Sequence, residues 1–511
     1  MDALRKAAGL GHRIAIHIDI KDPQSTYTTL DRIEGVLSIT ASTRTSFDDI
    51  DIEFVGTSKT SVERLTAAAA VSGRSEAFHQ FLKLQDKSVQ DLYPEDRVLK
   101  AKKTYTFPFL FVIPEQLLPK VCGHACKAPG VREAHLQLPP TMGDRECDRQ
   151  DPATGRPLDD LAPDMVSTRY GVHVRIIKEN EGTRETLANY GKKVRVVPII
   201  QEQPPLPISD DDDEYRYRKE KVIRKGVLQG KAGTIVMETV QPSAVRMHAC
   251  GNSSRPSTAK IMLRFDPADK HAAPPRLGNL ASKLKVNTYF ASTARQSYPT
   301  KRATFQDPSQ GIHSEQLTLV SRKVGGPDPE DKSGKAEIWT TYESETAARR
   351  DSACSVSTFI PDASKDYKGK TFYVAQLEAP IVLPENKVFI PTFHSCLISR
   401  IYQVKFELHL QNKGVVGTID LKLPIQVSCS GHEDWEPRQS SVVTDGRGEH
   451  ELREEDFEEY FEPRTLHIPS EAFLGSSVLQ RPASPTFVRN ELPPSYSYYA
   501  PPIGVQTVPA Y

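Results

Sequence analysis

Near its end the chain reads Leu492-Pro493-Pro494-Ser495-Tyr496, two prolines ahead of a tyrosine at the spacing that WW domains read. Adjacent prolines bias the backbone to polyproline II before a partner arrives, so docking costs little ordering entropy. That helix has three residues per turn, which puts Tyr496 on the face of Pro493, ready to fill a pocket beside the aromatic groove that takes the prolines. Pro493, Pro494, Ser495 and Tyr496 are therefore candidate WW-binding residues. The plainer alternative is a chance match in a tail rich in Pro and Tyr. Upstream, Arg481-Pro-Ala-Ser484-Pro485 presents Ser484 to a proline-directed kinase and, once phosphorylated, to a 14-3-3-type phosphoserine reader. An ordinary polar tail explains the same residues.

A lysine pattern bears on what such a motif could do. The last lysine is Lys422, so the final 89 residues contain none. A ubiquitin ligase held at the motif must find acceptors on the folded body or on another protein. Lys219, Lys221 and Lys225, in the basic stretch that follows the acidic run Asp210–Glu214, are the candidate acceptors. The alternative use of that stretch is electrostatic docking on anionic lipid.

A second chemistry is suggested by Cys122-Gly-His124-Ala-Cys126, with His135 and Cys147 downstream. These are ligand types that zinc prefers. The first pair fits a ligand spacing, and the second is loose. Free thiols in a loop after Pro119 are the plainer reading, so no metal and no other cofactor is assigned. Signatures of catalysis are missing from the sequence: no phosphate-cradling glycine loop, no zinc-protease helix and no nucleophile elbow. The chain reads as a non-enzyme.

Composition narrows the class further. The 511 residues carry 66 basic and 66 acidic side chains, for a formal net charge of zero. A dedicated nucleic-acid binder shows a basic excess, so nucleic acid is not an expected partner. Seven cysteines, odd in number and mostly far apart, do not make a secreted disulfide framework and suit a reducing cytoplasm. The first twenty residues are cut by Arg5, Lys6, His12 and Arg13, and no apolar run reaches the roughly 20 residues that span a bilayer. Any membrane association is expected to be peripheral.

The elements that must position these residues read as β. Ile14, Ile16, Ile18 and Ile20 alternate with Ala15, His17 and Asp19, as in a half-buried strand. The same period returns at Ile50–Phe54, Tyr170–Ile176 and Tyr402–Leu410. Further β-branched or apolar runs lie at Val194–Ile200, Gly233–Val240, Lys260–Phe265, Lys283–Phe290, Thr371–Leu377 and Gly417–Val427. Short strands punctuated by Gly, Pro and Asp predict two antiparallel sandwiches and an all-β fold. Ser75–Lys87 departs from this, with Phe78, Phe81, Leu82 and Leu84 at a spacing that predicts a short helix or an ordered loop packed on one sheet. The expected organisation is a sandwich over residues 1–200, a Pro-rich and acidic linker over 201–225, a second sandwich over 226–430, and a disordered tail over 431–511, acidic and then Pro-rich.

Several fragments, taken in order, resemble one family. Arg32-Ile-Glu-Gly-Val-Leu-Ser-Ile39, Ile50-Asp-Ile-Glu-Phe-Val-Gly56, Thr106-Phe-Pro-Phe-Leu-Phe-Val-Ile-Pro114 and Leu136-Gln-Leu-Pro-Pro-Thr141 look like the amino-terminal arrestin domain. Pro380–Pro384, Tyr402–Gln411 and Leu421–Val427 look like its carboxy-terminal partner. With Pro493, Pro494 and Tyr496 behind them, the chain resembles an alpha-arrestin, the arrestin-related trafficking adaptor of fungi. The resemblance implies two immunoglobulin-like sandwiches and a cytoplasmic adaptor working at the plasma membrane and endosomes. It also implies that the adaptor holds a HECT-type ubiquitin ligase by its WW domains while the body engages integral membrane transporters or receptors for ubiquitylation and endocytosis. Only one complete motif is present, which limits avidity. The rival is an arrestin-fold trafficking scaffold, retromer-like, that works without a ligase.

Overall fold

The computed structural model describes residues 14–431, apart from breaks of which 65–72, 325–338 and 344–358 are the longest, together with Gly504–Thr507. The amino-terminal lobe runs through β1 (Ile14–Ile20), β2 (Arg32–Ala41), β3 (Thr45–Ser46), β4 (Asp49–Arg64), β5 (Gly73–Asp86), β6 (Val98–Leu99), β7 (Thr104–Val112), helix α1 (Pro129–His135), β8 (Val166–Asn180) and β9 (Thr183–Val194). The carboxy-terminal lobe follows with β10 (Arg218–Arg224), β11 (Lys231–Thr239), β12 (Val245–His248), β13 (Ser254–Arg255), β14 (Ser257–Pro267), β15 (Arg276–Ala291), helix α2 (Lys301–Gln306), β16 (Gln310–Lys323), β17 (Thr340–Glu343), β18 (Thr371–Ile381), β19 (Phe393–His394), β20 (Ile398–Asn412), β21 (Val415–Ile425) and β22 (Val427–Ser430). Beyond them lies β23 (Gly504–Thr507).

Each lobe is a sandwich because its strands alternate. In the first, the sheet β1-β2-β7 faces the sheet β5-β4-β8-β9. Ile33, Leu37 and Ile39 of β2 and Phe54, Val172 and Val174 of the facing sheet all close on one core. The Phe54 and Tyr170 rings stack at 5.9 Å within it. Pro108 has no N–H to give, and it sits in β7, an edge strand. The second lobe packs β10-β11-β14-β18-β17 against β16-β15-β20-β21. All of these pairings are antiparallel. The last strand of the second lobe, β22, instead runs parallel to β12, pairing Val245 with Val427.

Two expectations change. Ser75–Lys87 is not helical: Gly73–Asp86 is strand β5, paired with β4. The register steps from Gly56 opposite Leu82 to Thr57 opposite Gln80, so Phe81 is the extra residue of a β-bulge. The bulge lets consecutive Phe81 and Leu82 both face the core, at 2% and 4% exposure, while Phe78 points out at 53%. One inserted residue thus turned a period of two into helix-like spacing. Gly56 makes the bulge fit, since a Cβ there would lie 2.5 Å from the Phe81 ring.

The linker is also shorter than 201–225. Arg218–Arg224 is β10, hydrogen-bonded to β11, so these residues belong to the second sandwich. Within Val194–Ile200 only Val194 is in a strand. Val196 and Ile200 instead make isolated bridges to Tyr27 and Cys429. Within the tail, Gly504–Thr507 pairs antiparallel with Ser75–Phe78 at the edge of the first lobe. The rest of the tail lies outside the described residues.

The lobes meet over a packed seam. Val62, Met142 and Val166 of the first join Phe290, Ile390, Phe393, Leu397 and Ile398 of the second in a separate apolar cluster. Thr60 donates its hydroxyl to the Ala291 carbonyl at 2.6 Å, and Ser75 to Ser292 at 3.0 Å. Arg400, fully buried on β20, donates to the carbonyls of Asp160 and Leu161, each at 3.1 Å. Leu161 is 1% exposed and packs into the core of the second lobe, although it lies on the chain before β8.

Candidate functional site

The sequence pointed to three groups of residues. The WW-binding residues Pro493, Pro494, Ser495 and Tyr496, and the phosphosite Ser484, lie outside the described residues. The lysines do not sit on a free linker. Lys219 and Lys221 are on β10, and Lys225 follows it. Lys219 ion-pairs with Asp420, and its side chain is 30% exposed. Lys221 donates to the Thr418 carbonyl at 2.6 Å, and Lys225 pairs with Asp269 at 2.6 Å and is 43% exposed. Charged residues on an exposed edge strand also block unwanted strand pairing, which accounts for the alternation Arg218-Lys219-Glu220-Lys221 without any further role.

The third group does come together, with a different membership. A 3-10 turn at Pro119–Cys122 anchors Val121 in the first lobe's core and turns Cys122 inward. His124 follows at once, and α1 ends on His135. From the other lobe, the β19–β20 hairpin delivers Cys396. Ser395 fixes this turn through bonds between its hydroxyl and the carbonyl and N–H of Ile398, and the Cys396 carbonyl accepts from the Arg295 N–H at 2.9 Å. The ligand atoms of Cys122, His124, His135 and Cys396 all lie within 4.8 Å of one another. Cys122, His135 and Cys396 are 0%, 3% and 1% exposed. Cys147 is not among them; its place is taken by Cys396, which no local signal could have disclosed.

The distances are short and directed. The Cys122 sulfur is 3.3 Å from His124 Nε2 and 3.6 Å from His135 Nδ1. His124 Nδ1 is 3.1 Å from the Ala125 carbonyl, which fixes the tautomer whose Nε2 lone pair faces Cys122. Cys126 sits at the rim, its sulfur 3.6 Å from that of Cys122. A hydrogen bond from Cys396 holds the Cys122 thiol well below the ordinary thiol range and pushes Cys396 up. Burial holds His135 below the usual imidazole value, which favours its neutral, lone-pair-bearing form. Two sulfurs and two ring nitrogens converge here, on residues of which three are buried, and form a donor set that suits a metal ion.

Two protein-family models match the chain. The arrestin (or S-antigen) amino-terminal domain matches residues 15–129, and the Bul1 C terminus matches residues 315–430. Together the two matches support an alpha-arrestin-type protein with arrestin amino- and carboxy-terminal domains. No curated protein matches it. The first match covers β1 to β7 and the turn with Cys122, His124 and Cys126, and stops short of His135. The second runs from within β16 to the end of β22, taking in Cys396 and Arg400. An alpha-arrestin built this way is an arrestin-like trafficking adaptor, and the adaptor domains of this family are generally non-catalytic. Among the described residues no helix is long and apolar enough to cross a membrane.

Proposed function

We propose that this alpha-arrestin recruits a HECT-type ubiquitin ligase, through WW domains bound to Pro493-Pro494-Ser495-Tyr496, to integral membrane transporters or receptors, which are then ubiquitylated and endocytosed. The observation that carries the reading is one chain in which an arrestin lobe and a Bul1-type lobe are followed by a proline-proline-x-tyrosine motif. The division of labour follows from chemistry. The motif is a short, preorganised ligand with one deep anchor, Tyr496. The lysine-free tail keeps the ligase from modifying its own tether and directs it to the body or the cargo. The work takes place at the cytoplasmic face of the plasma membrane and on endosomes, with the adaptor held there peripherally. Phosphorylated Ser484 would let a 14-3-3-type reader compete for the same tail.

A pull-down of the full chain on immobilised WW domains tests this. Wild type should be retained and Tyr496→Ala lost. Equal recovery of the two would reject ligase recruitment and leave the retromer-like scaffold.

A further inference from the structure

We propose that Cys122, His124, His135 and Cys396 are the ligands of a structural zinc ion that joins the two lobes. The inference is independent of the ligase reading, since it rests on the body alone.

The geometry carries it. Zinc bonds of about 2.3 Å to sulfur and about 2.0–2.1 Å to nitrogen give a tetrahedron with edges of about 3.3–3.8 Å. Cys122 meets that spacing with both histidines, at 3.3 and 3.6 Å, and Cys396 lies within the same 4.8 Å group. The rings of His124 and His135 are held apart at 5.4 Å between centroids and 46° between planes, so each can present one nitrogen. The contact of His124 Nδ1 with the Ala125 carbonyl is the outer-shell orientation that metal-bound histidines use. Hydrogen bonding alone explains the cluster poorly, because thiols are weak donors and two of them are buried here against the buried His135 and the half-buried His124.

The step balances without redox chemistry. Two thiols release their protons to solvent, two thiolates and two neutral imidazoles take the ion, and the dipositive charge is offset. Four protein ligands leave no open position, so the site is structural rather than catalytic. Three ligands come from the first lobe and one from the second. Separating the lobes therefore means breaking the bond to Cys396. The neighbouring seam contacts, Lys127 N–H to the Gln296 carbonyl at 2.8 Å and Tyr298 hydroxyl to the Gly130 carbonyl at 2.9 Å, would loosen with it. Cys126, at the rim, is outside the ligand set.

The test uses the reduced full-length chain. Elemental analysis should find one zinc per chain, and replacement by Co2+ should give the visible bands of a tetrahedral ion with charge transfer from two thiolates. Cys396→Ser should lose one thiolate's charge-transfer intensity and weaken Co2+ binding at least tenfold, while Cys126→Ser and Cys147→Ser bind as wild type. Folded wild type that takes up neither Zn2+ nor Co2+ would overturn the proposal. So would a Cys396→Ser variant that binds as wild type, or loss of binding in Cys126→Ser, either of which would place the ion within one lobe. If Cys396→Ser does not fold, the thiolate count in the wild-type cobalt spectrum still decides, with two expected and any other number fatal.

Discussion

The guanidinium of Arg400 crosses from the second lobe to the carbonyl of Asp160 in the first and is fully buried in doing so. Its other terminal nitrogen donates to the carbonyl of Leu161, whose φ of +60° lies in the left-handed region that a branched side chain avoids. A conformation of that kind persists only where its surroundings over-determine it. Here they do so twice, through the Arg400 bond and through burial of the Leu161 side chain.

Arg400→Met keeps the volume and removes both charge-assisted bonds. It leaves two buried carbonyls without their donor, and should lower stability by about 3 kcal/mol. Denaturant unfolding of the full chain measures it, and a loss below about 1 kcal/mol would show that the seam does not depend on this residue.

Leu161→Ala opens a cavity in the second lobe's core from a residue of the first. Core truncations of this type cost about 2–5 kcal/mol. The informative readout is where protection is lost. Hydrogen exchange should quicken in β14 and β20, across the seam from the mutation, and an effect confined to the segment before β8 would contradict the packing.

Gly56→Ala drives a methyl group into the Phe81 ring at the bulge. Overpacking of this kind costs about 1–3 kcal/mol. Phe81→Leu removes the obstruction, so the double variant should be less destabilised than the sum of the single ones. Strict additivity would mean that the two residues do not meet.

If Lys219, Lys221 and Lys225 are ubiquitin acceptors as proposed, their exposure sets an order among them. Lys225, on the surface beyond the strand, should be modified ahead of Lys219, which is held against Asp420. Mapping of diglycine remnants by mass spectrometry in cells with the ligase present gives the order. Undiminished modification after Lys219, Lys221 and Lys225 are all changed to Arg would remove the three as acceptors.

Much of the fold was legible because a half-buried strand writes its period into its residues, as Ile14–Ile20 and Tyr402–Leu410 do. β5 was misread for the same reason in reverse: the bulge at Phe81 adds one residue and breaks the period. β10 was hidden by its neighbours, since a charged edge strand next to an acidic Pro-rich run has the composition of a linker. Three of the cluster's four residues, Cys122, His124 and His135, could be suspected from the sequence. Its closure could not, because Cys396 arrives through tertiary folding and no spacing rule links it to the others.

Leu161 has a further consequence for how the chain is made. The ribosome delivers it before any strand of the second lobe exists, so a large apolar side chain must wait, uncovered, for partners still to be synthesised. The second lobe in turn cannot close its interior from its own residues. A fragment starting at Glu214, ahead of β10, would carry a vacancy of one leucine, and one ending at Ile200 would expose one. The two lobes should therefore melt as a single transition, and a cut between them would give two poorly folded pieces, not two domains.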